Sequence, residues 1–279
     1  MTLTACGTSD QETQSLEEQV DYTVIATEPG AGLTTLSHQT IEEYDNLNGW
    51  FLQESSTAGM LAELEQAINN EEPVIVTAWT PHWIFDEYDL KILEDPKQTL
   101  GGSEEIRTIA RLGFESELPS AYQILDNFYW EVEDMQAVMK EAQDIPFEEA
   151  ADNWIQENSG TVDEWTAGVD QGNGEMIELV STPWDTERAS SFVVKQVLED
   201  HGFEVTLTDV EPAVMFQSIA SGSSDVSVAP WLPSTHQAFY ENYEGQFVDM
   251  GPNLEGTLNG FVVPAYVEID SIEDLQPKN

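Results

Sequence analysis

Two short stretches share one order of residues, and that order limits what the chain can fold into. Val74 to Trp83 reads VIVTAWTPHW, and Val228 to His236 reads VAPWLPSTH. In each, an apolar run suited to a buried strand reaches Trp, then any residue, then Pro, which ends the strand because it has no N–H to give the ladder. Trp79 and Trp231 thus stand at strand ends in two separate parts of the chain. Trp184 is placed similarly, after the strand pattern Met176 to Val180 and at the start of a helical pattern that runs to His201.

Each device closes a series in which strands and helices alternate. In the first, Tyr22 to Ala26 reads as a buried strand, followed by the turn Glu28-Pro29-Gly30-Ala31-Gly32-Leu33 and a helix through about Tyr44. Trp50 to Gln53 is a second strand, Ser56 or Thr57 caps a helix to Asn69, and Val74 to Trp79 is a third strand. The second series has strands at Met176 to Val180, Val205 to Leu207 and Val226 to Ala229, with a helix over Glu211 to Ser221. Between the series, Leu90 to Lys97 and Ile106 to Arg111 read as extended crossing segments. Helices follow over Pro119 to Asn127, Glu131 to Asp144 and Pro146 to Asn158, then a linker at Ala167 to Gly174.

Alternation of this kind predicts an α/β fold of two lobes, each a mostly parallel sheet flanked by helices, with a ligand cleft at the carboxyl ends of the strands. Residues 20–104 with 264–279 are expected to form the first lobe and 105–263 the second. Phe261 to Pro264 is expected to cross back, so that the last residues rejoin the first lobe. Residues 1–19 are read as a tether, in which Leu3-Thr4-Ala5-Cys6-Gly7 resembles a bacterial lipobox with Cys6 as the lipidated residue. Cys6 is the single cysteine, so no internal disulfide can form.

Charge says more about surroundings than about fold. There are 54 acidic side chains against 8 basic ones, a net charge of −46 spread along the chain. Nucleic acid is excluded as a partner, because phosphate contacts need basic residues. At molar salt the screening length falls to about 3 Å, which suits such a protein to brine; the alternative is an acidic secreted protein of an alkaline or moderately saline habitat. No apolar run approaches the length of a membrane span, so membrane attachment would run through lipid on Cys6.

Of the eight Trp residues, Trp50, Trp130, Trp154 and Trp165 fall in patterns that packing explains. Trp79, Trp184 and Trp231 sit at the lip of the sheet, where their rings could converge on a cation. Rings alone favour a quaternary ammonium; a carboxylate among them would favour a simple ammonium. A carboxylate on the ligand itself could be taken by the N–H groups of Gly32 and Leu33, at a helix start, and by His236. His82 is read as fixing the loop behind Trp79, and no metal or cofactor site is expected, since His38 and His201 lie far along the chain. Two other readings can be built: a hydrolase using Ser234, His236 and Asp185, and a sugar-binding lipoprotein with Trp platforms. The first lacks a nucleophile elbow, and the second lacks polar side chains near Trp79 and Trp231.

The motifs EPGAGL, TAWTPHW, YDLKILEDPKQ, EEIRTIARLGF, TPWDTERAS, APWLPSTH and FVVPAYV with SIEDL resemble those of the glycine betaine-binding lipoproteins of bacterial ABC importers for compatible solutes. The resemblance runs from Tyr22 to Leu275. It implies the type II periplasmic-binding-protein fold, closing on its ligand, and a non-enzymatic role as the extracellular or periplasmic partner of an ABC permease. By motif it assigns Trp79, Trp184 and Trp231 to a three-Trp prism and Gly32, Leu33 and His236 to the ligand carboxylate.

Overall fold

The computed structural model describes residues 14–278; Cys6 and most of the expected tether lie outside the described residues. Ten strands form the sheet: β1 (Thr23–Ala26), β2 (Phe51–Glu54), β3 (Val76–Thr80), β4 (Leu90–Ile92), β5 (Ser103–Arg111), β6 (Met176–Ser181), β7 (Glu204–Asp209), β8 (Val226–Ser227), β9 (Trp231–Leu232) and β10 (Phe247–Pro264). Their order is β2-β1-β3-β10-β5-β8-β6-β7, with β4 added to β10 and β9 to β5.

The fold is two-lobed and α/β, as the alternation predicts, but the two half-sheets are joined. β1 pairs in parallel with β2 and β3, and β6 pairs in parallel with β7 and β8. Between these halves, β10 runs antiparallel to β5 through Phe247 to Leu258 and antiparallel to β3 through Leu258 to Val262. A single strand therefore serves both halves and makes one continuous sheet.

Two expectations about crossing segments need correction. The crossing strand is β10 from Phe247 onward, much longer than Phe261 to Pro264. Turn-forming residues disguise it: Gly251 and Gly256 take φ of 104° and 85° at the register shifts that let this strand bend against β5. Leu90 to Lys97 does not cross either. Its strand portion, β4, pairs with the far end of β10, and Glu94 bridges to Ser271.

Buried polar groups tie the crossing together. Asn253 on β10 donates Nδ2 to Thr108 Oγ1 on β5 at 3.1 Å and to the Val228 carbonyl at 3.2 Å. Arg107 Nε reaches Asp249 Oδ1 at 3.0 Å across the same ladder. The chain end returns to the first half: Trp50 Nε1 donates to the Gln276 carbonyl at 2.9 Å, and Asn46 Nδ2 to the Ile272 carbonyl at 2.7 Å.

The helices Pro119–Asn127, Val132–Glu141, Phe147–Glu157 and Ser159–Thr166 enclose an aromatic cluster. Trp154 lies edge to face with Trp130 at 5.5 Å and stacks on Trp165 at 5.8 Å, while Phe128 meets Trp165 edge-on at 5.0 Å. All four are buried. Trp154→Ala should therefore lower the unfolding free energy by about 3–5 kcal/mol in a urea titration. A loss below about 1 kcal/mol would show that the cluster collapses into the gap or never packs.

Candidate functional site

Trp79 lies on β3 opposite Asn259 of β10, and Trp231 lies on β9 opposite Ile106 of β5. Each of the two crossing strands, β10 and β5, thus has one of these indoles on a strand paired with it. In both Trp-x-Pro stretches the peptide bond before Pro is cis. Trp184 follows β6 and is the N-cap residue of the helix Asp185–Asp200. Its ring is held from the opposite lobe, because Nε1 donates to Glu28 Oε2 at 3.2 Å. Glu28 also accepts from the Thr57 backbone N–H at 2.7 Å and the Thr57 hydroxyl at 2.9 Å. Burial pushes the Glu28 carboxyl up, but these hydrogen bonds outweigh it and leave its pKa below the ordinary value.

The first residues of the helix Gly32–Glu43 are Gly32 and Leu33, and its N-cap Ala31 offers no side-chain cap. Their N–H groups belong to a turn that has no intrahelical acceptor, at the positive end of the helix dipole. Gly32 is required by close approach: a Cβ there would stand 2.2 Å from the Thr235 carbonyl oxygen and 2.6 Å from its methyl.

His236 and Trp231 lock each other. The Trp231 N–H donates to His236 Nδ1 at 2.9 Å, and the His236 N–H donates to the Trp231 carbonyl at 3.0 Å. With Nδ1 accepting, the neutral ring carries its proton on Nε2, which is thereby a donor. Complete burial drives the His236 pKa down to about 3, so the ring is neutral at physiological pH. His82 meets Trp79 edge-on at 4.9 Å, takes the Ile84 N–H on Nδ1 at 3.3 Å, and is also driven by burial to about 3.

The six residues singled out in the sequence, Trp79, Trp184, Trp231, Gly32, Leu33 and His236, all line one cleft of about 350 Å³ including its open mouth. Five further residues in its wall were not singled out: Thr27, Ala31, Thr235, Asn259 and Glu187. Thr235 and Asn259 are organised by Glu104, a buried carboxylate that receives the N–H groups of Ser234 at 2.6 Å and Thr235 at 2.7 Å, the Thr235 hydroxyl, and Asn259 Nδ2 at 2.6 Å. The sequence signal was weak, because Glu104 opens an alternating charged strand that reads as surface.

Glu187 is buried. Burial first of all raises its carboxyl to about 7, against the pull of the Thr186 hydroxyl, its own backbone N–H and the Trp231 indole. That indole N–H lies near Glu187 without reaching hydrogen-bond geometry, so its pull is the weaker one.

The hydrolase reading fails on geometry. His236 Nδ1 is occupied by the Trp231 backbone, while Asp185 accepts from Trp83 Nε1 at 2.9 Å. Asp185, the carboxylate of that reading, therefore does not orient the imidazole from behind.

A continuous sheet bent through antiparallel crossing strands, with an aromatic cleft where its halves meet, is the build of a substrate-binding protein of the type II periplasmic class. The chain belongs to the family described as the substrate binding domain of ABC-type glycine betaine transport systems, which its sequence matches over residues 8–157 and 175–279. It is 43% identical over 281 residues to the glycine betaine/carnitine transport binding protein GbuC of Listeria monocytogenes, covering 99% of this chain and 94% of that one. Among solved structures it resembles lactococcal OpuAC in its closed-liganded conformation complexed with glycine betaine, at 44% identity and a TM-score of 0.52. That superposition covers 57% of this chain and 64% of the other, a little under two thirds. It also resembles the glycine betaine/L-proline-binding protein ProX of Borrelia burgdorferi, at 30% identity and a TM-score of 0.51, over 54% of this chain and 58% of that one.

Two outcomes are expected from this geometry. Gly32→Ala should drive Thr235 away from the helix start and weaken ligand binding at least tenfold, about 1.4 kcal/mol; unchanged affinity by titration calorimetry would show that the approach is dispensable. Because His82 stays neutral in the fold down to pH about 3 while the unfolded chain takes up a proton near pH 6.5, stability falls as pH drops through this window. Glu187, raised in the fold, opposes this by losing stability as pH rises toward 7. In urea unfolding, wild type should therefore lose up to about 3 kcal/mol more than His82→Gln between pH 6.5 and 4.5. Equal losses would mean that His82 protonates in place.

Proposed function

We propose that this protein captures glycine betaine, or a related quaternary ammonium osmolyte, outside the cell membrane and delivers it to the permease of an ABC importer, for osmoprotection in a salt-adapted bacterium. The observation that carries the reading is the convergence of three indoles, two helix-start amides and one imidazole on a single cleft. The relatives named for glycine betaine or complexed with it support the same ligand class.

The chemistry follows from the parts. Trp79, Trp184 and Trp231 offer π faces to a trimethylammonium group, each contributing about 0.5–1 kcal/mol when exposed and about 2 kcal/mol or more when desolvated. The Gly32 and Leu33 N–H groups and His236 Nε2–H donate to the ligand carboxylate, at about 1.5–3 kcal/mol per charge-assisted bond. Set against association costs of about 4–15 kcal/mol, the sum is consistent with micromolar affinity. Closing the lobes would exclude water, which raises both contributions. Glu28, which already accepts from Trp184 Nε1 at 3.2 Å, would keep that ring in place from the first lobe.

The lobes in this reading are residues 20–104 with 264–279 and residues 105–263, hinged where β5 and β10 cross. Lipid on Cys6 would hold the protein at the outer face of the membrane, and it acts by binding and release with no chemical step of its own.

Titration calorimetry with glycine betaine, choline and a disaccharide should give the strongest heat with glycine betaine and none with the sugar. Trp231→Ala should weaken betaine binding well over tenfold, each factor of ten being about 1.4 kcal/mol. Absence of betaine binding at any salt concentration would refute the reading.

A further inference from the structure

Glu187 is the one carboxylate among the described residues that line the cleft, and nothing in an all-aromatic cage requires it. It sits in the first turn of the helix Asp185–Asp200, just after Trp184, with its side chain close to the Trp231 indole. A buried carboxylate is costly unless a cation pairs with it. Here its hydrogen bonds come from the Thr186 hydroxyl, at 2.5 Å, and its own N–H, and the charged neighbour that acts on it is Asp185, which repels it. The adjacent Arg188 does not compensate: it lies over the Phe147 ring at 4.9 Å and faces Asp209 at 3.8 Å.

We propose that Glu187 supplies negative charge to the wall of the cation cage, making the cleft selective for a ligand with a cationic head group over one of the same shape whose head is uncharged, and coupling capture to pH. The proposal rests on the reading of the cleft as a quaternary ammonium site: one carboxylate beside three rings adds selection for charge, while the rings, from which a strongly hydrated simple ammonium gains little, keep the preference for methyl groups. The cation of the ligand takes the part of the missing partner: its charge is spread over methyl groups that cannot donate a conventional hydrogen bond but still attract a carboxylate through a water-poor cavity.

The other titratable groups around the cleft do not compete for this role. His236 shares the cavity and His82 lies behind Trp79; burial keeps both neutral. Glu28 is engaged by Thr57 and Trp184, and Glu104 by Ser234, Thr235 and Asn259. Asp185, on the same helix, is engaged by Trp83.

Burial holds the Glu187 carboxyl near pH 7 in the unliganded protein. A cation beside it favours the ionised form and lowers that value, so binding releases a proton near neutrality and affinity rises with pH until the free form is fully ionised.

The test is titration calorimetry on wild type and Glu187→Gln from pH 5.5 to 8.5, with glycine betaine and with 3,3-dimethylbutanoate, which replaces the ammonium nitrogen by carbon. Wild type should bind betaine about tenfold more weakly at the acid end and release protons at pH 7, read from buffers of different ionisation enthalpy. Glu187→Gln, which keeps an oxygen to accept from Thr186, should give a flat profile and a preference for betaine over the isostere, whose head group is uncharged, that shrinks about tenfold at pH 8.5. A flat wild-type profile without proton release, or an unchanged preference in a folded variant, would overturn the proposal while leaving betaine capture standing. No betaine heat from wild type at pH 8.5 would overturn both. Proton release by wild type decides the matter even if the variant does not fold.

Discussion

The antiparallel pairing of β5 with β10 is the interaction on which the rest of the molecule depends. Parallel strands need long crossover connections, so a chain built only of strand–helix alternation would produce two sheets with nothing between them but loops. β10 continues from one half of the sheet into the other, and β5 carries β8 and β9 on its far side. Trp79 and Asn259 are neighbours on one part of this scaffold, Ile106 and Trp231 on another. Trp79, Asn259 and Trp231 thereby reach the cleft from backbones fixed in ladders, whereas Gly32, Leu33, Trp184 and Glu187 reach it from helix starts.

Three carboxylates near the cleft show how environment divides one chemistry into separate roles. Glu104 is buried but receives donors from two backbone N–H groups, a hydroxyl and an amide, so it works as an internal anchor for the Ser234–Thr235 turn and, one residue on, for His236. Glu28 receives donors from Thr57 and from Trp184 across the cleft, so its place depends on both lobes. Glu187 has the poorest set of partners relative to its burial, and it is the one left with a carboxyl raised toward neutrality.

Much of the site was legible because aromatic and proline residues announce strand ends. VIVTAWTPHW and VAPWLPSTH marked Trp79 and Trp231, and the glycine turn before the first helix marked Gly32 and Leu33. What stayed hidden was polar. Glu187 occupies the first turn of a helix, where acids are ordinary companions of the dipole, and Asn259 lies in a glycine-rich stretch that reads as a loop. The fold shows the same asymmetry. Alternation exposed both parallel halves, whereas Met250 to Gly260, with its glycines and proline, concealed a bulged strand whose pairing is set by tertiary partners rather than by its own pattern.

The extreme net charge and the buried site obey different electrostatics, a separation that would suit the proposed binder in brine. A charge of −46 creates self-repulsion that molar salt reduces to a range of about 3 Å. Inside the cleft no mobile ions intervene between an indole face, a helix-start amide and a ligand, so these contacts keep their strength as salt rises. Neutral imidazoles serve the same end. On the proposed reading, the neutral His236 ring would donate through Nε2 without a formal charge, so that the ligand's acid end is met by dipoles rather than by a cation that salt would screen at the mouth. A surface rich in acids would also draw small inorganic cations toward the cleft, but those ions hydrate strongly and gain little from greasy ring faces. A methylated ammonium is weakly hydrated and, on the proposed reading, would gain most there, so that discrimination would be strongest in high salt.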